Sequence, residues 1–436
     1  MKLCFIMYQG NMYSGGQGVY LHYMTRELVK LGHEVHVISG RPFPRLDEGV
    51  VHHKLHTYSF WAFLNGRDEH AYDHAHNPIE FFHPWNFYEF ASTRASLASL
   101  FFTFSVRAYQ KLAQLEAEQG PFDLVHDNQT LGYGILAMKQ LMGKPVVASL
   151  HHPLAIDKAN NLREAKNIVS RIQKELWFPW KMQSYVANRI DMVLTGSRNS
   201  AQSVSRSMDI PIEHIRQTPY GVDHEVMRPI PGVARQPGTI LFVGDSEDRN
   251  KGARFLIEAC ARLQHDMDFR LLFKDKKEQD MKVVPPLVWK YGLKRFVEYI
   301  PRLSTDELLR LYNSAQIVVS PSLYEGFGLP AAEAMACGTP VVATTAGAFP
   351  EFIDDGRTGL LVPPGDPEAL AAAIKSLLSD PARCERMGAA ASEHIRTNFT
   401  WQRTTKITLD LYGEVLAKAK ARGSRTSNFQ PPTSSS

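Results

Sequence analysis

The run Glu325-Gly326-Phe327-Gly328-Leu329-Pro330-Ala331-Ala332-Glu333 places a carboxylate on each side of a glycine turn. A strand-like stretch, Gln316–Ser322, leads into it. Glycines let the backbone turn closely, and Pro330 fits the first turn of a helix, where its missing N–H costs nothing. The product is a loop and helix N-terminus whose unpaired amides and positive dipole end suit a phosphate. Carboxylates repel phosphate, so Glu325 and Glu333 are expected to accept hydrogen bonds from hydroxyls instead. A ligand that carries both phosphates and sugar hydroxyls meets both demands, which points to a nucleotide-sugar. Taken alone, the loop also reads as an ordinary turn before a helix whose dipole favours an acid.

Other residues raise the odds. Lys251 follows a strand and the polar turn Gly244-Asp245-Ser246-Glu247-Asp248-Arg249-Asn250, a place from which a cation can neutralise a leaving pyrophosphate. Arg249 is a weaker candidate for the same work. Gly15-Gly16-Gln17-Gly18 offers amides at another helix start, but Leu21 stands where a dinucleotide fingerprint needs a third small residue. That argues against an oxidoreductase using a pyridine nucleotide and for a loop touching phosphates or acceptor, with Gly16 and Gln17 the residues concerned. Two histidine sites fall at strand ends: His126, and His151-His152 after Val146–Leu150. A histidine there can bond a sugar hydroxyl or share a developing charge. The chain has 17 histidines, so a structural place is the default for any one of them. His70, His74 and His76 have ligand-like spacing but lie in an irregular aromatic stretch, and no metal is expected.

The elements that must hold these groups alternate short apolar runs with helical periods, the signature of α/β folding around parallel strands. Leu3–Tyr8, Val35–Ser39, Leu124-Val125, Val146–Leu150 and Met192–Thr195 read as strands of one sheet. Thr239–Gly244, Phe269–Phe273, Val297–Ile300, Ile317–Ser320 and Pro340–Thr344 read as strands of a second. Helices are expected from Leu21 to Leu31, stopped by Gly32, and over Phe255–Leu263. Two such units imply a cleft between them, where α/β ligands tend to bind. Pro219–Pro237 is the candidate linker, and residues 422–436, rich in Ser, Thr and Pro, are expected to be disordered.

Composition agrees with an ordinary globular chain: 436 residues, 44% hydrophobic, 22% charged and a net charge of +4. That balance demands no nucleic-acid partner. Cys4, Cys260, Cys337 and Cys384 are scattered without a CxxC pair, as in a reduced cytoplasmic protein. The short N-terminal apolar run reads as a first strand, and no apolar run is long enough to span a membrane.

In order along the chain stand Gly15-Gly16 with Leu31–Val35, Val147–His151, Tyr220-Gly221-Val222-Asp223, Phe242-Val243-Gly244 with Lys251-Gly252, Glu325–Glu333, Ala336–Val342 and Glu351 through Gly359–Val362. This set resembles family 4 of the retaining glycosyltransferases, of GT-B fold, over nearly everything from residue 1 to about 416. The resemblance implies two Rossmann-like domains facing across a cleft: an acceptor-side domain over 1–217, with 401–421 crossing back to it, and a nucleotide-sugar domain over 218–400. It implies that Glu333 holds the nucleotide ribose and that Glu325 faces the donor sugar. By the same resemblance Gly326, Phe327, Gly328 and Leu329 present amides, Lys251 meets the pyrophosphate, His151 stands beside the donor sugar and Gly16 approaches the phosphates. Gln17, His126 and His152 are expected on the acceptor side. One departure is Asp245, where the family commonly has Arg directly after the strand-ending glycine; Arg249 is the residue placed to substitute.

The expected reaction moves a hexose from a UDP- or GDP-linked sugar to a hydroxyl of a glycan, lipid or small molecule, keeping the α-configuration. The leaving phosphate takes the acceptor's proton, with no metal and no cofactor. A nucleotide-sugar epimerase of similar fold and a non-catalytic sugar-nucleotide-binding protein are the alternatives. The aromatic residues of 58–104 and the basic amphipathic pattern of 162–181 raise a further expectation, peripheral contact with the inner face of the plasma membrane.

Overall fold

The computed structural model describes residues 1–10, 16–56, 83–94, 100–151, 180–301 and 303–427. Expectations that fall on Gly15, on His70–His76, on His152 or on 162–179 therefore lie outside the described residues, as do the aromatic positions between 58 and 82. The chain divides into two compact units: Met1–Thr195 with Ala201–Thr218 and Thr405–Ser436, and Gly196–Ser200 with Pro219–Thr404.

The first unit is built on seven parallel strands: β1 (Lys2–Met7), β2 (Glu34–Ser39), β3 (Val50–Lys54), β4 (Leu124–Asn128), β5 (Val146–Leu150), β6 (Met192–Thr195) and β7 (Ile215–Gln217). Their spatial order is β3-β2-β1-β4-β5-β6-β7. Between them run α1 (Gln17–Lys30), α2 (Pro84–Arg94), α3 (Leu100–Gln119), α4 (Tyr133–Leu141), α5 (Trp180–Ala187) and α6 (Arg198–Met208). Strands covered on both faces carry nearly continuous apolar runs, and Leu3, Cys4, Phe5, Ile6 and Met7 are all fully buried. β3 and β7 escape the sequence reading because they are short edge strands with polar residues, Val-Val-His-His-Lys and Ile-Arg-Gln.

The second unit repeats the plan with six parallel strands: β8 (Gln236–Val243), β9 (Arg270–Lys274), β10 (Val297–Ile300), β11 (Ala315–Ser320), β12 (Val341–Thr344) and β13 (Leu360–Val362), ordered β10-β9-β8-β11-β12-β13. Its helices are α7 (Ala253–Leu263), α8 (Val284–Lys290), α9 (Thr305–Ser314), α10 (Leu329–Ala336), α11 (Phe349–Phe352), α12 (Pro367–Leu378), α13 (Pro381–Asn398) and the first residues of α14 (Trp401–Ser427). Ile240, Phe242, Leu271, Phe273, Ile317 and Val319 form its core with Leu256, Ile257 and Cys260 of α7 and Ile374 and Leu377 of α12.

Two expectations need correction. Pro219–Pro237 does not behave as a free linker: Tyr220, Val222 and Met227 are buried, and the Val222 N–H donates to the Phe399 carbonyl at 2.8 Å. Apolar residues at every few positions draw the stretch onto its own unit. The expected disorder from residue 422 is also not met over 422–427, which continue α14. Arg422 fixes that end through an ion pair with Asp191 at 3.1 Å. Trp401 and Thr404 of α14 group with the second unit, whereas Thr405 onward groups with the first.

In both sheets the strand order reverses once, between β1 and β4 and between β8 and β11. Chains leaving neighbouring strands at that point diverge to opposite faces and leave a notch at the carboxyl ends. Gly252 shows how tightly the second notch is built. Its φ is +66°, and a Cβ there would lie 1.9 Å from the Pro321 carbonyl oxygen just past β11. Gly292, at φ +68°, has open space around it. Gly292→Ala is expected to cost only the left-handed backbone, about 1 kcal/mol. Gly252→Ala adds a backbone clash and should cost about 3 kcal/mol or more, read as a lower midpoint in denaturant unfolding.

Candidate functional site

In the second unit the β8/β11 notch gathers Lys251 and Glu325. Lys251 closes a short 3-10 turn, Arg249–Lys251, whose first N–H groups are organised by the Asp248 side chain accepting from Asn250. The Asn250 carbonyl in turn accepts from Leu323 N–H at 2.7 Å, tying the post-β8 loop to the post-β11 loop. The result is a direct ion pair: Lys251 Nζ donates to Glu325 Oε2 at 2.7 Å. Burial alone would lower the Lys251 pKa, but Glu325, with Asp248 and Asp245 beyond it, holds the ammonium above the ordinary lysine value. The pair keeps partial access to solvent, 27% for the lysine side chain and 14% for the glutamate, so both ends can be reached by a ligand.

The glycine turn sits beside that pair. Gly328 caps α10 at φ +97°, and a Cβ there would meet Phe349 at 2.6 Å. Phe327 points away from the turn into an aromatic nest, with ring centroids 5.2 Å from Tyr220 and from Phe352. The Gly326 carbonyl accepts from Ser197 Oγ at 2.9 Å and Ser200 Oγ at 3.0 Å, which fixes the peptide plane. Held this way, the N–H groups of Gly326, Phe327 and Gly328 donate to no acceptor among the described residues. Glu333 lies one turn into α10 and receives the Tyr312 hydroxyl on Oε2 at 2.9 Å. Burial pushes its pKa up to about 7, against the pull of the Tyr312 hydrogen bond and the Lys274 charge.

Asp245 is not a lone carboxylate beside the lysine. It pairs with Lys276 Nζ at 2.8 Å and accepts the Glu247 N–H at 3.0 Å. Arg249 is exposed, and no hydrogen bond or ion pair engages its side chain among the described residues.

In the first unit the β1/β4 notch holds Gly16, Gln17, Asn128 and His151. Gly16 caps α1 at φ +70°. His151 follows β5, is 6% exposed, and lies edge-on to Tyr20 with centroids 4.8 Å apart. Its Nε2 is 2.5 Å from Asn128 Oδ1, and its N–H donates to Gln129 Oε1 at 2.7 Å. Burial lowers the His151 pKa to about 3, so the ring is neutral.

His126 has a different place from the one expected. It is fully buried, stacks on Phe5 at 4.7 Å, and uses Nε2 on Ser149 Oγ at 2.8 Å and Nδ1 on the Tyr412 hydroxyl. Both nitrogens are engaged, which leaves neither for an acceptor sugar. Ser149 passes the network on to the Tyr20 hydroxyl at 3.0 Å, so His126 links α14, β5 and α1. Gln17 enters through its main-chain carbonyl, which accepts from Asn128 Nδ2 at 3.3 Å. Asn128, Ser197, Ser200, Tyr312 and Lys276 are the residues the sequence reading missed. Strand-end or helix-start positions could have flagged Asn128, Lys276, Ser197 and Ser200, whereas Tyr312, in the last turn of its helix, gives no such signal.

With this geometry in view, the chain was compared with known proteins. A family model described as Glycosyltransferase Family 4 matches residues 14–226, and one described as Glycosyl transferases group 1 matches residues 223–394. An MMP alpha-(1->4)-mannosyltransferase from Mycolicibacterium hassiacum is 34% identical over 428 residues, covering 97% of this chain and 100% of that protein. The chain belongs to glycosyltransferase family 4. Among solved structures, a sucrose-phosphate synthase from Thermosynechococcus elongatus aligns with a TM-score of 0.72 at 21% identity, over 96% of this chain and 100% of that one. The Anabaena protein HepE, in complex with UDP and glucose, aligns with a TM-score of 0.67 at 18% identity, over 95% and 100%. The fold of this family 4 member is GT-B, two parallel-sheet α/β domains. No helix of the described residues is long and apolar enough to cross a membrane.

The buried histidines give the enzyme's first unit a definite acid response. Burial, with the His151 charge as a further influence, lowers the His126 pKa to about 3. Both histidines thus titrate lower folded than unfolded, where the value is near 6.5. Their contribution is fully present above about pH 6.5 and is lost as pH falls toward 3, because the unfolded chain takes up protons that the folded one refuses. Asp127 works the other way, since burial raises its pKa to about 7. Stability tied to its neutral form is present below the unfolded value and lost as pH rises through 7. Between about pH 6.5 and 4 each histidine removes up to about 1.4 kcal/mol of stability per pH unit as pH falls. Asp127 and Glu333, both raised to about 7, act in the opposite direction, so the wild-type slope in denaturant titration is the difference. His126→Gln, though less stable at neutral pH, is expected to gain on wild type by up to about 1.4 kcal/mol per pH unit as pH falls through that range; an unchanged slope would remove this account.

Proposed function

We propose that this glycosyltransferase is a retaining hexosyltransferase, moving an α-linked hexose from a nucleotide-diphosphate sugar to a hydroxyl of a sugar acceptor. The observation that carries the reading is the Lys251–Glu325 pair at 2.7 Å beside the unpaired amides of the Gly326–Gly328 turn. A cation, a set of N–H donors and a carboxylate within one notch match the three parts of such a donor: diphosphate, glycosidic oxygen and sugar hydroxyls. The full-length likeness to the Mycolicibacterium hassiacum mannosyltransferase favours mannose as the sugar and an existing glycan as the acceptor. The complex of HepE with UDP and glucose supports a nucleotide-sugar donor.

In this reading the arriving diphosphate shares Lys251 with Glu325. The ammonium, the loop amides and the α10 dipole take up charge as the nucleotide leaves. Glu325, relieved of part of its ion pair, accepts hydroxyls of the hexose. The acceptor oxygen attacks from the face the nucleotide leaves, and its proton passes to the departing phosphate, so the anomeric configuration is kept. Glu333 accepts ribose hydroxyls. Lys276 neutralises Asp245, so the acid at 245 adds no net negative charge beside the diphosphate. The parts assigned to Gly16 and His151 rest on the family resemblance.

Lys251→Met and Glu325→Gln should each lower kcat by about 10²-fold or more while unfolding near the wild-type temperature, with product of α-configuration by NMR and turnover unchanged by a chelator. Wild-type rates in either folded variant would overturn the assignment.

Glu333 supplies an independent check. Accepting two hydroxyls requires its ionised form, so donor binding must draw its pKa below the value of about 7 that burial gives it. A nucleotide-sugar has no proton to lose in this range. Its affinity, measured by calorimetry, is expected to rise from pH 5.5 to about pH 7 and then level off. Glu333→Gln should bind more weakly with no pH dependence. A wild-type affinity that stays flat across that range would show that Glu333 does not hold hydroxyls.

A further inference from the structure

Asn128 ends β4, between the start of α1 and the ring of His151. We propose that Asn128 is a positioning residue that locks His151 in the tautomer carrying hydrogen on Nε2 and couples that ring to the Gly16–Gln17 turn. The proposal rests on the reading of His151 as a site residue, but its structural half stands on hydrogen-bond logic alone.

Asn128 is 2% exposed and lies between two fixed groups. Its amide nitrogen is 3.3 Å from the Gln17 main-chain carbonyl. A carbonyl oxygen only accepts, so the NH2 end of the amide must face it. The amide oxygen is thereby turned to His151, 2.5 Å from Nε2. That oxygen also only accepts, so Nε2 must carry the hydrogen. Nδ1 is then the acceptor nitrogen of a ring that burial keeps neutral. A neutral ring in that tautomer accepts a hydrogen bond at Nδ1 and has no proton there to deliver to the leaving nucleotide.

The loop after β4 is built to hold this arrangement. Gln129 and Leu131 both adopt left-handed backbone, with φ of 64° and 47°. Such strain costs on the order of 1–3 kcal/mol per residue and persists only where its surroundings fix it. Here three bonds do so: His151 N–H to Gln129 Oε1 at 2.7 Å, Leu131 N–H to Asp127 Oδ2 at 2.7 Å, and Gln183 Nε2 to the Thr130 carbonyl at 3.2 Å. Gln129 thus holds the backbone of His151 while its neighbour Asn128 holds the ring. Tyr20 fixes the ring plane, and Tyr20 of α1 and His126 of β4 are the titratable groups that face it among the described residues.

The test uses the full chain with 15N-labelled histidine. Wild type is expected to show His151 as the Nε2–H tautomer, with kcat flat from about pH 5.5 to 8. Asn128→Asp exchanges the amide for a carboxylate, which supports an imidazolium. It should introduce a new ionisation between about pH 5 and 7 below which kcat falls about tenfold, together with loss of the neutral-tautomer signal. Asn128→Ala should lower kcat by about tenfold with donor KM within about twofold and no new ionisation. A wild-type Nδ1–H tautomer, or an Asn128→Asp profile as flat as wild type, would overturn the inference. Should His151→Ala transfer sugar at wild-type rates, the placing of His151 in the site falls instead, and the tautomer measurement still decides the structural half.

Discussion

Each sheet of this protein is all parallel and changes direction of winding once, and the candidate site groups among the described residues gather around that change. A parallel strand has to be followed by a crossover, so its carboxyl end always opens into a loop and a helix start. Where two neighbouring strands send their crossovers to opposite faces, the two loops separate and their polar groups stay open to a ligand. At β8 and β11 the loops bring Lys251 and Glu325, 74 residues apart in the chain, into one ion pair. At β1 and β4 they bring the start of α1 against Asn128. The same topological constraint is met with opposite chemistry.

The second unit's notch is charged and partly solvated. A lysine and a glutamate neutralise each other there, and an acid deeper in α10 stays near the edge of ionisation. The first unit's notch is lined by neutral, buried groups, two histidines stripped of charge by burial and an asparagine between main chain and imidazole. That division follows from what each would have to do. Charge that leaves with a diphosphate needs fixed cations and N–H donors, which work best already paired and oriented. Discrimination among sugar hydroxyls needs donors and acceptors of fixed identity. A neutral ring with one defined acceptor gives that, whereas a ring free to protonate would change its meaning with pH.

Much of this was legible in the sequence, and the limits have physical causes. The Glu325–Glu333 turn is local: its glycines, its proline and both acids lie within one loop and one helical turn, so composition and spacing carry it. The strands of both cores were readable because buried parallel strands are apolar nearly throughout, while the edge strands β3 and β7 were not. Roles for Lys251 and Glu325 could be assigned, but not their ion pair, since register between the loops after β8 and β11 is a tertiary fact. His126 misled because a histidine near a strand end looks the same whether it reaches solvent or stacks on Phe5 under α14. Asn128 was passed over beside it, although it shares the face of His126 and, as the last residue of β4, is the one that emerges at the notch.

Asp245 shows why a departure from a family pattern has to be judged in three dimensions. Read along the chain, an acid where the family commonly has an arginine removes a cation and adds an anion next to the expected diphosphate. In the structure the acid brings its own cation, because parallel pairing sets the end of β9 beside the end of β8 and places Lys276 within 2.8 Å. The pair is exposed, 42% and 44%, so it adds little to stability. Its effect is on the field instead: the loop's added negative charge is cancelled within one contact, and a lysine is delivered from the neighbouring strand. Lys251 still feels Asp245 and Asp248, which help to hold it protonated. The substitution therefore leaves that end of the loop neutral where the family commonly has a positive charge.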